Sequence, residues 1–214
     1  MRILALDAAL ARCSVALVRD GVVVSSLVSG MGRGQQGLLA SMVERVLVGA
    51  PGFDAVAVTV GPGSFTGLRT AISLAHGLAA SGCPLVGVTV AEALASAVGA
   101  LHGRTLWTVI DSRRGRVFLD VDGVVRAVGI DALPRPGGPV AVAGDAAVTV
   151  AARLAGLGFD VRLTDARWPL ALDVAAVGLR RLEGLLPPLL VQPVYVDAPE
   201  AKLPAGGLRP VPRG

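Results

Sequence analysis

Two apolar runs of this 214-residue chain end in an acid, Ile3 to Leu6 in Asp7 and Leu106 to Ile110 in Asp111. A carboxylate at a strand end can hold a cation; it can equally fold back on its own turn. After a third apolar run, Ala55 to Val60, comes Gly61-Pro62-Gly63-Ser64-Phe65-Thr66-Gly67-Leu68-Arg69. Glycines between a strand and a helix start expose N–H groups that, with the helix dipole, can cradle an anion. The same residues also make a tight strand exit with Ser64 or Thr66 as the helix cap. The run has neither the Gly-Lys-Ser/Thr ending of a P-loop nor Gly-x-Gly-x-x-Gly spacing. Other catalytic signals are thin. His76 and His102 stand far apart with no Ser-His-Asp or Cys-His pattern around them, and Cys13 and Cys83 have no Cys-x-x-Cys or Cys/His spacing. The cysteines read as small buried hydrophobes. The turn Arg113-Arg114-Gly115-Arg116 reads either as an RNA or partner contact or as a solvated charged loop.

The elements that position these residues come from an internal duplication. Ile3 to Asp7, Cys13 to Val18 and Asp20-Gly21-Val22-Val23 match, in order, Leu106 to Asp111, Val117 to Val121 and Asp122-Gly123-Val124-Val125. Each Asp-Gly pair predicts a type I′ hairpin, because such turns need positive φ. Each copy therefore opens as a three-stranded antiparallel meander. Downstream of the first, the periodicity predicts a helix over Gln35 to Val48, a strand over Ala55 to Val60, a helix over Gly67 to Ala80 and a strand over Leu85 to Val88. Downstream of the second it predicts a strand over Val140 to Ala143 and helices over Asp145 to Leu154 and Leu170 to Leu182, with a Pro-rich irregular tail from Leu186. The expected division is an N-terminal lobe, 1–102, and a reduced C-terminal lobe, 103–214. This plan resembles the ribonuclease-H-like lobes of the actin, Hsp70 and sugar-kinase superfamily, an α/β fold.

Composition agrees with such a fold. Hydrophobic residues make up 53% and aromatics only 3%, so the core must be closely packed small aliphatics. The charge-free stretch from Thr70 to Ala91 is broken by Ser81, Gly82 and Pro84 into pieces too short to cross a bilayer. Asp7 follows too short an apolar run for a signal peptide. The expectation is a cytoplasmic protein with no membrane association. Net charge is +4 with Lys202 the only lysine, a bias that reflects genome composition more readily than a binding surface.

Gly61 to Arg69 closely resembles the signature of the TsaB family, also called YeaZ. The likeness extends to Ile3–Leu17, Gly87–Leu94, Ile110–Val117 and Gln192–Val196 with Ala198-Pro199. The chain departs from the family's pattern at Ala8-Ala9, Gln35-Gln36 and Asp197. The resemblance implies a scaffold subunit of the machinery that places threonylcarbamoyl on a tRNA adenosine. It implies pairing with the catalytic relative TsaD, an ATPase, TsaE, joining the pair, a homodimer when the chain is alone, and tRNA met only through the complex. Asp7-Ala8-Ala9 offers no hydroxyl to a phosphate and Asp111-Ser112-Arg113-Arg114 is bulky where a glycine pair is wanted, so Asp7 and Asp111 read as remnants of a nucleotide cleft. The metal-binding His-x-x-x-His pair of TsaD falls here on Val90 and Leu94. No catalytic residue, metal or cofactor is therefore expected, an active ATPase, sugar kinase or metallohydrolase being the alternative. The implied interface uses Leu39, Met42, Val43 and Val46 of one helix and Arg69, Ile72, Ser73, His76 and Gly77 of the next. From spacing alone these helices could equally be ordinary core helices.

Overall fold

The computed structural model describes residues 1–30, 34–50, 52–113 and 115–196. Arg114, Asp197, Ala198 and Pro199 lie outside the described residues. The first meander is β1 (Arg2–Asp7), β2 (Ser14–Arg19) and β3 (Val22–Val28); the second is β6 (Thr105–Asp111), β7 (Arg116–Val121) and β8 (Val124–Gly129). Asp20 and Gly21 have φ of 49° and 79°, and Asp122 and Gly123 have 53° and 81°, the twist that a two-residue hairpin requires. A 3-10 turn (Gln35–Leu38) leads into α1 (Leu39–Leu47), followed by β4 (Ala55–Gly61), α2 (Phe65–Leu78), β5 (Leu85–Thr89) and α3 (Val90–Ala97). The second half continues with β9 (Val140–Ala143), α4 (Ala147–Gly156), β10 (Val161–Leu163) and α5 (Ala171–Leu182).

The two sheets have matching orders, β3-β2-β1-β4-β5 and β8-β7-β6-β9-β10. In each, the meander is antiparallel and the later strands add in parallel. The duplication is thus real in topology. One helix is missing from the second copy, where a Pro- and Gly-rich stretch joins β8 to β9.

The first sheet is covered on both faces. Leu4, Leu6, Val15 and Val56 point to one side and meet α1 and α2. Ile3, Ala5, Ala55 and Ala57 point to the other and meet Ala171, Val174 and Val177 of α5, the alternation that a strand imposes. At Gly178 an added Cβ would lie 2.8 Å from that of Ala57, so α5 sits close on the sheet. The division at 102/103 separates the two sheets, yet α5, which follows it, completes the core of the first. The second sheet buries Trp107, Val109, Leu119 and Val142 under α4.

Three expectations needed adjusting. Helix α1 begins at Leu39 behind a tighter turn, α2 begins at Phe65 because Ser64 caps it, and the short strand β10 was not foreseen. Among the described residues no helix is long and apolar enough to cross a membrane.

Candidate functional site

The glycine loop is built against the turn that follows β1. Ser64 accepts a hydrogen bond from the Gly67 amide at 3.3 Å, and its own amide donates to the Ala9 carbonyl at 2.6 Å. A Cβ on Gly63 would stand 2.3 Å from the Ala9 oxygen, and one on Gly67 would stand 2.0 Å from the Ala8 oxygen. Of the two readings open from sequence, the strand exit with a serine cap is the one realised. Carbonyl oxygens crowd Gly63 and Gly67, which is the wrong polarity for holding a phosphate. Pro62 is buried, while Ser64, Phe65 and Thr66 are exposed.

Asp7 is buried, and its Oδ1 accepts from the Thr59 hydroxyl at 2.7 Å and the Ala9 amide at 3.1 Å. Burial pushes its carboxyl up to about 7 against the opposing pull of those two bonds. Asp111 repeats the same turn, its Oδ1 accepting from the Arg113 amide at 2.7 Å, but it is exposed. Its own amide donates to Asp145 at 2.8 Å, and burial raises the Asp145 carboxyl. Both aspartates thus serve the backbone of their own strand exits. Among the described residues no group of three or more His, Cys, Asp or Glu side chains could hold a metal ion.

Between the two strand exits lies an apolar cluster that joins the lobes. Ala9, Leu68, Val90 and Leu94 from the first half pack with Ile110 and Ala143 from the second, all buried. The helix α3 that carries Val90 and Leu94 is fixed by a capping box, Thr89 and Glu92 each bonding the other's backbone amide. Glu92 also meets Arg181, which donates to Glu92 Oε1 at 2.6 Å, to the Gly87 carbonyl at 2.5 Å and to the Pro187 carbonyl at 2.8 Å. Arg181 is 8% exposed, so this one guanidinium ties α5, β5, α3 and the returning tail. The capping box was readable as Thr-x-x-Glu; the Arg181 partner, 89 residues away, was not.

The nine residues expected at a partner interface separate into two groups. Leu39, Met42, Val43, Val46 and Ile72 are buried against the chain's own first sheet, because their spacing marks the face that packs inward. This corrects their reading as surface groups. Arg69, Ser73, His76 and Gly77 lie exposed along the outer side of α2. Arg69 lies 3.8 Å over the ring of Phe65 and donates to the Tyr195 hydroxyl at 3.2 Å. His76 Nε2 is 3.2 Å from the Val191 carbonyl oxygen, and the Val194 amide donates to the Val60 carbonyl at 2.7 Å. The tail therefore runs back over the signature loop, a contact that gives Tyr195 a place beside Arg69. Arg113 and Arg116 sit in the exposed turn between β6 and β7 and in the first residue of β7.

Two mixed five-stranded sheets of matching order make an α/β fold. A ROK family protein from Streptococcus pneumoniae TIGR4 shares it with a TM-score of 0.50 at 10% identity, over 87% of this chain and 100% of that one. YeaZ from Pseudomonas aeruginosa is more alike, with a TM-score of 0.71 at 27% identity over 91% of this chain and 99% of that one. The family profile described as TsaD, tRNA N6-adenosine threonylcarbamoyltransferase, matches residues 36–178. The tRNA threonylcarbamoyladenosine biosynthesis protein TsaB of Escherichia coli (strain K12) is 37% identical over 124 residues, 55% of this chain and 53% of that protein. The Haemophilus influenzae protein of the same name is 32% identical over 126 residues, 55% of this chain and 52% of that one. The chain spans about half the length of the curated relatives it matches. It belongs to the TsaB/YeaZ family, relatives of TsaD.

Proposed function

We propose that this chain is an accessory subunit of the tRNA threonylcarbamoyladenosine machinery, carrying no chemistry itself and acting by docking onto TsaD so that TsaE can join. The observation that carries the reading is the apolar joint between the lobes. Val90 and Leu94, on which the resemblance sets the metal-binding histidines of TsaD, are buried in one apolar cluster with Leu68 and Ile110, and aliphatic side chains cannot ligate a metal. The docking face on this reading is the outer side of α2, with Arg69, Ser73, His76 and Gly77, extended by the exposed Phe65 and Tyr195. Arginine and aromatic side chains are the types most often found at the energetic centre of an interface. Small residues at 73 and 77 permit close approach of a second helix. The same face is where a lone chain would meet its own copy through helices. Contact with tRNA comes through the complex, in the cytoplasm.

The test is to mix the chain with TsaD, measure the size of the complex, add TsaE, and assay tRNA modification with and without each component. Complex formation should fail for Ser73→Glu and His76→Glu, which leave the core untouched; a charge at Ile72 or Val43 would disturb the fold instead. Calorimetry of the lone chain with ATP and magnesium should show no binding. Turnover of ATP by the lone chain, or full modification in its absence, would overturn the reading.

A further inference from the structure

We infer that the returning tail sets the docking face: Tyr195 is a positioning residue whose hydroxyl holds Arg69 over the Phe65 ring, so that the guanidinium meets a partner already ordered. This rests on the reading of α2 as the docking face and deepens it, by naming what arranges that face in the unbound chain.

The tail reaches Tyr195 along a path fixed at several points. Arg181 donates to the Pro187 carbonyl. Beside β5, the Leu189 and Leu190 carbonyl oxygens stand 3.4 Å and 3.2 Å from where a Cβ on Gly87 would lie. His76 Nε2 is 3.2 Å from the Val191 carbonyl oxygen, and the Val194 amide donates to the Val60 carbonyl at 2.7 Å. The side chains of Leu189, Val191 and Val194 pack against the core that α1 and α2 share with the first sheet. The backbone is therefore pinned one residue before Tyr195, and the chain's own fold, with no partner, brings that ring to α2.

What the tail delivers there is surface, not core. Tyr195 and Phe65 are 48% and 56% exposed, and their ring centroids lie 6.1 Å apart at a tilt of 32°. Arg69 spans the two rings, its guanidinium carbon 3.8 Å over Phe65 and its Nε donating to the Tyr195 hydroxyl at 3.2 Å. A long exposed side chain ordinarily loses its freedom when a partner arrives, at a cost in affinity, and one already held avoids that cost. The two terminal amino groups of Arg69 have no hydrogen-bond partner among the described residues, a fork suited to a carboxylate on the docking partner.

Two measurements on the intact chain test this. In the unbound chain, nitrogen relaxation of the Arg69 Nε–H by NMR should report an ordered side chain, and Tyr195→Phe, which keeps the ring and removes only the hydroxyl, should make it mobile. In calorimetric titration with TsaD, Tyr195→Phe should dock about fivefold more weakly, with an unchanged unfolding midpoint because Tyr195 is exposed. In an Arg69→Met background the same substitution should change docking by no more than about twofold, since the hydroxyl acts through the arginine. An Arg69 side chain that is mobile in the unaltered chain overturns the inference. So does a Tyr195→Phe chain that docks as tightly as wild type, or one whose loss is the same with and without Arg69. Should Arg69→Met abolish docking, the relaxation of the Nε–H decides. The docking reading fails separately: a Ser73→Glu chain that still binds TsaD removes α2 as the contact, whereas loss of binding in Ser73→Glu but not in Tyr195→Phe removes only the role of the tail.

Discussion

The two halves share a backbone and differ in what surrounds it. At the end of β1 and again at the end of β6 an aspartate accepts a hydrogen bond from the amide two residues on. At the last residue of β4 and just after β9 the chain turns on a glycine with φ of 117° and 107°, Gly61 and Gly144. In the first half this turn region is roofed by α2, the tail and the β1–β2 turn, and its aspartate is buried. In the second half the helix after the meander is gone and the aspartate is exposed. Backbone geometry is what the duplication has kept; burial, and with it the electrostatics, has diverged.

The largest effects are expected at one glycine in each half that sits against a carbonyl oxygen. A Cβ at Gly67 would stand 2.0 Å from the Ala8 oxygen and one at Gly144 would stand 2.1 Å from the Val109 oxygen. Gly67→Ala and Gly144→Ala should each lose about 3 kcal/mol or more, or fail to fold, in urea unfolding. Gly77, in the same helix as Gly67, has nothing within 4 Å of an added Cβ, and Gly77→Ala should stabilise by up to about 1 kcal/mol. A Cβ at Gly61, the counterpart of Gly144, would stand 2.9 Å from the Val194 oxygen; if Gly144 tolerates alanine while Gly61 does not, the halves are less equivalent than their topology.

Arg181 is the next lever, because it ties the second half's last helix to the first half's sheet. Arg181→Met leaves Glu92 and two carbonyls without their partner, and should cost about 3–5 kcal/mol by denaturant unfolding.

Asp7 then separates the halves by pH. Its folded carboxyl is pushed up to about 7 by burial, while an unfolded aspartate titrates near 3.9. The folded state therefore holds the proton more tightly, so this contribution to stability is full below about pH 4 and is lost as pH rises through about 7. Asp7→Asn should remove that slope, gaining at most about 4 kcal/mol over wild type at pH 8 relative to pH 4. Unfolding midpoints across that range check the sign. A pH slope as steep in the variant as in the wild type would show that Asp7 is not its source.

The smallest effect concerns the two outer strands. Arg126→Val gives β8 the uncharged character of β3 and should change stability by no more than about 0.5 kcal/mol. It should raise self-association by light scattering at the same concentration, because the charge that guards the edge is gone.

Much of this architecture was legible. The Asp-Gly pairs fixed both hairpins, the repeated Asp positions marked the duplication, and the apolar periodicity found α1, α2, α4 and α5. What could not be read was which surface each apolar face would meet. Leu39, Met42, Val43 and Val46 have the spacing of one covered side, and that spacing is the same whether the cover is the chain's own sheet or another molecule. For the same reason nothing local in Ala171 to Leu182 says that this helix crosses back to the first sheet. Strand β10 escaped notice because three residues hold no periodicity. The glycine loop was legible as a signature but not as a mechanism, since only coordinates place the Ala8 and Ala9 carbonyls against it. Tyr195 could be quoted as part of a pattern, while its bond to Arg69, 126 residues away, needed the fold.

The return of α5 to the first sheet also governs how the protein can emerge from the ribosome. Ile3, Ala5, Ala55 and Ala57 present an apolar surface that stays bare until residues 171–182 have left the exit tunnel. The first sheet therefore waits, unfinished on that face, until α5 emerges and slots onto the first strand.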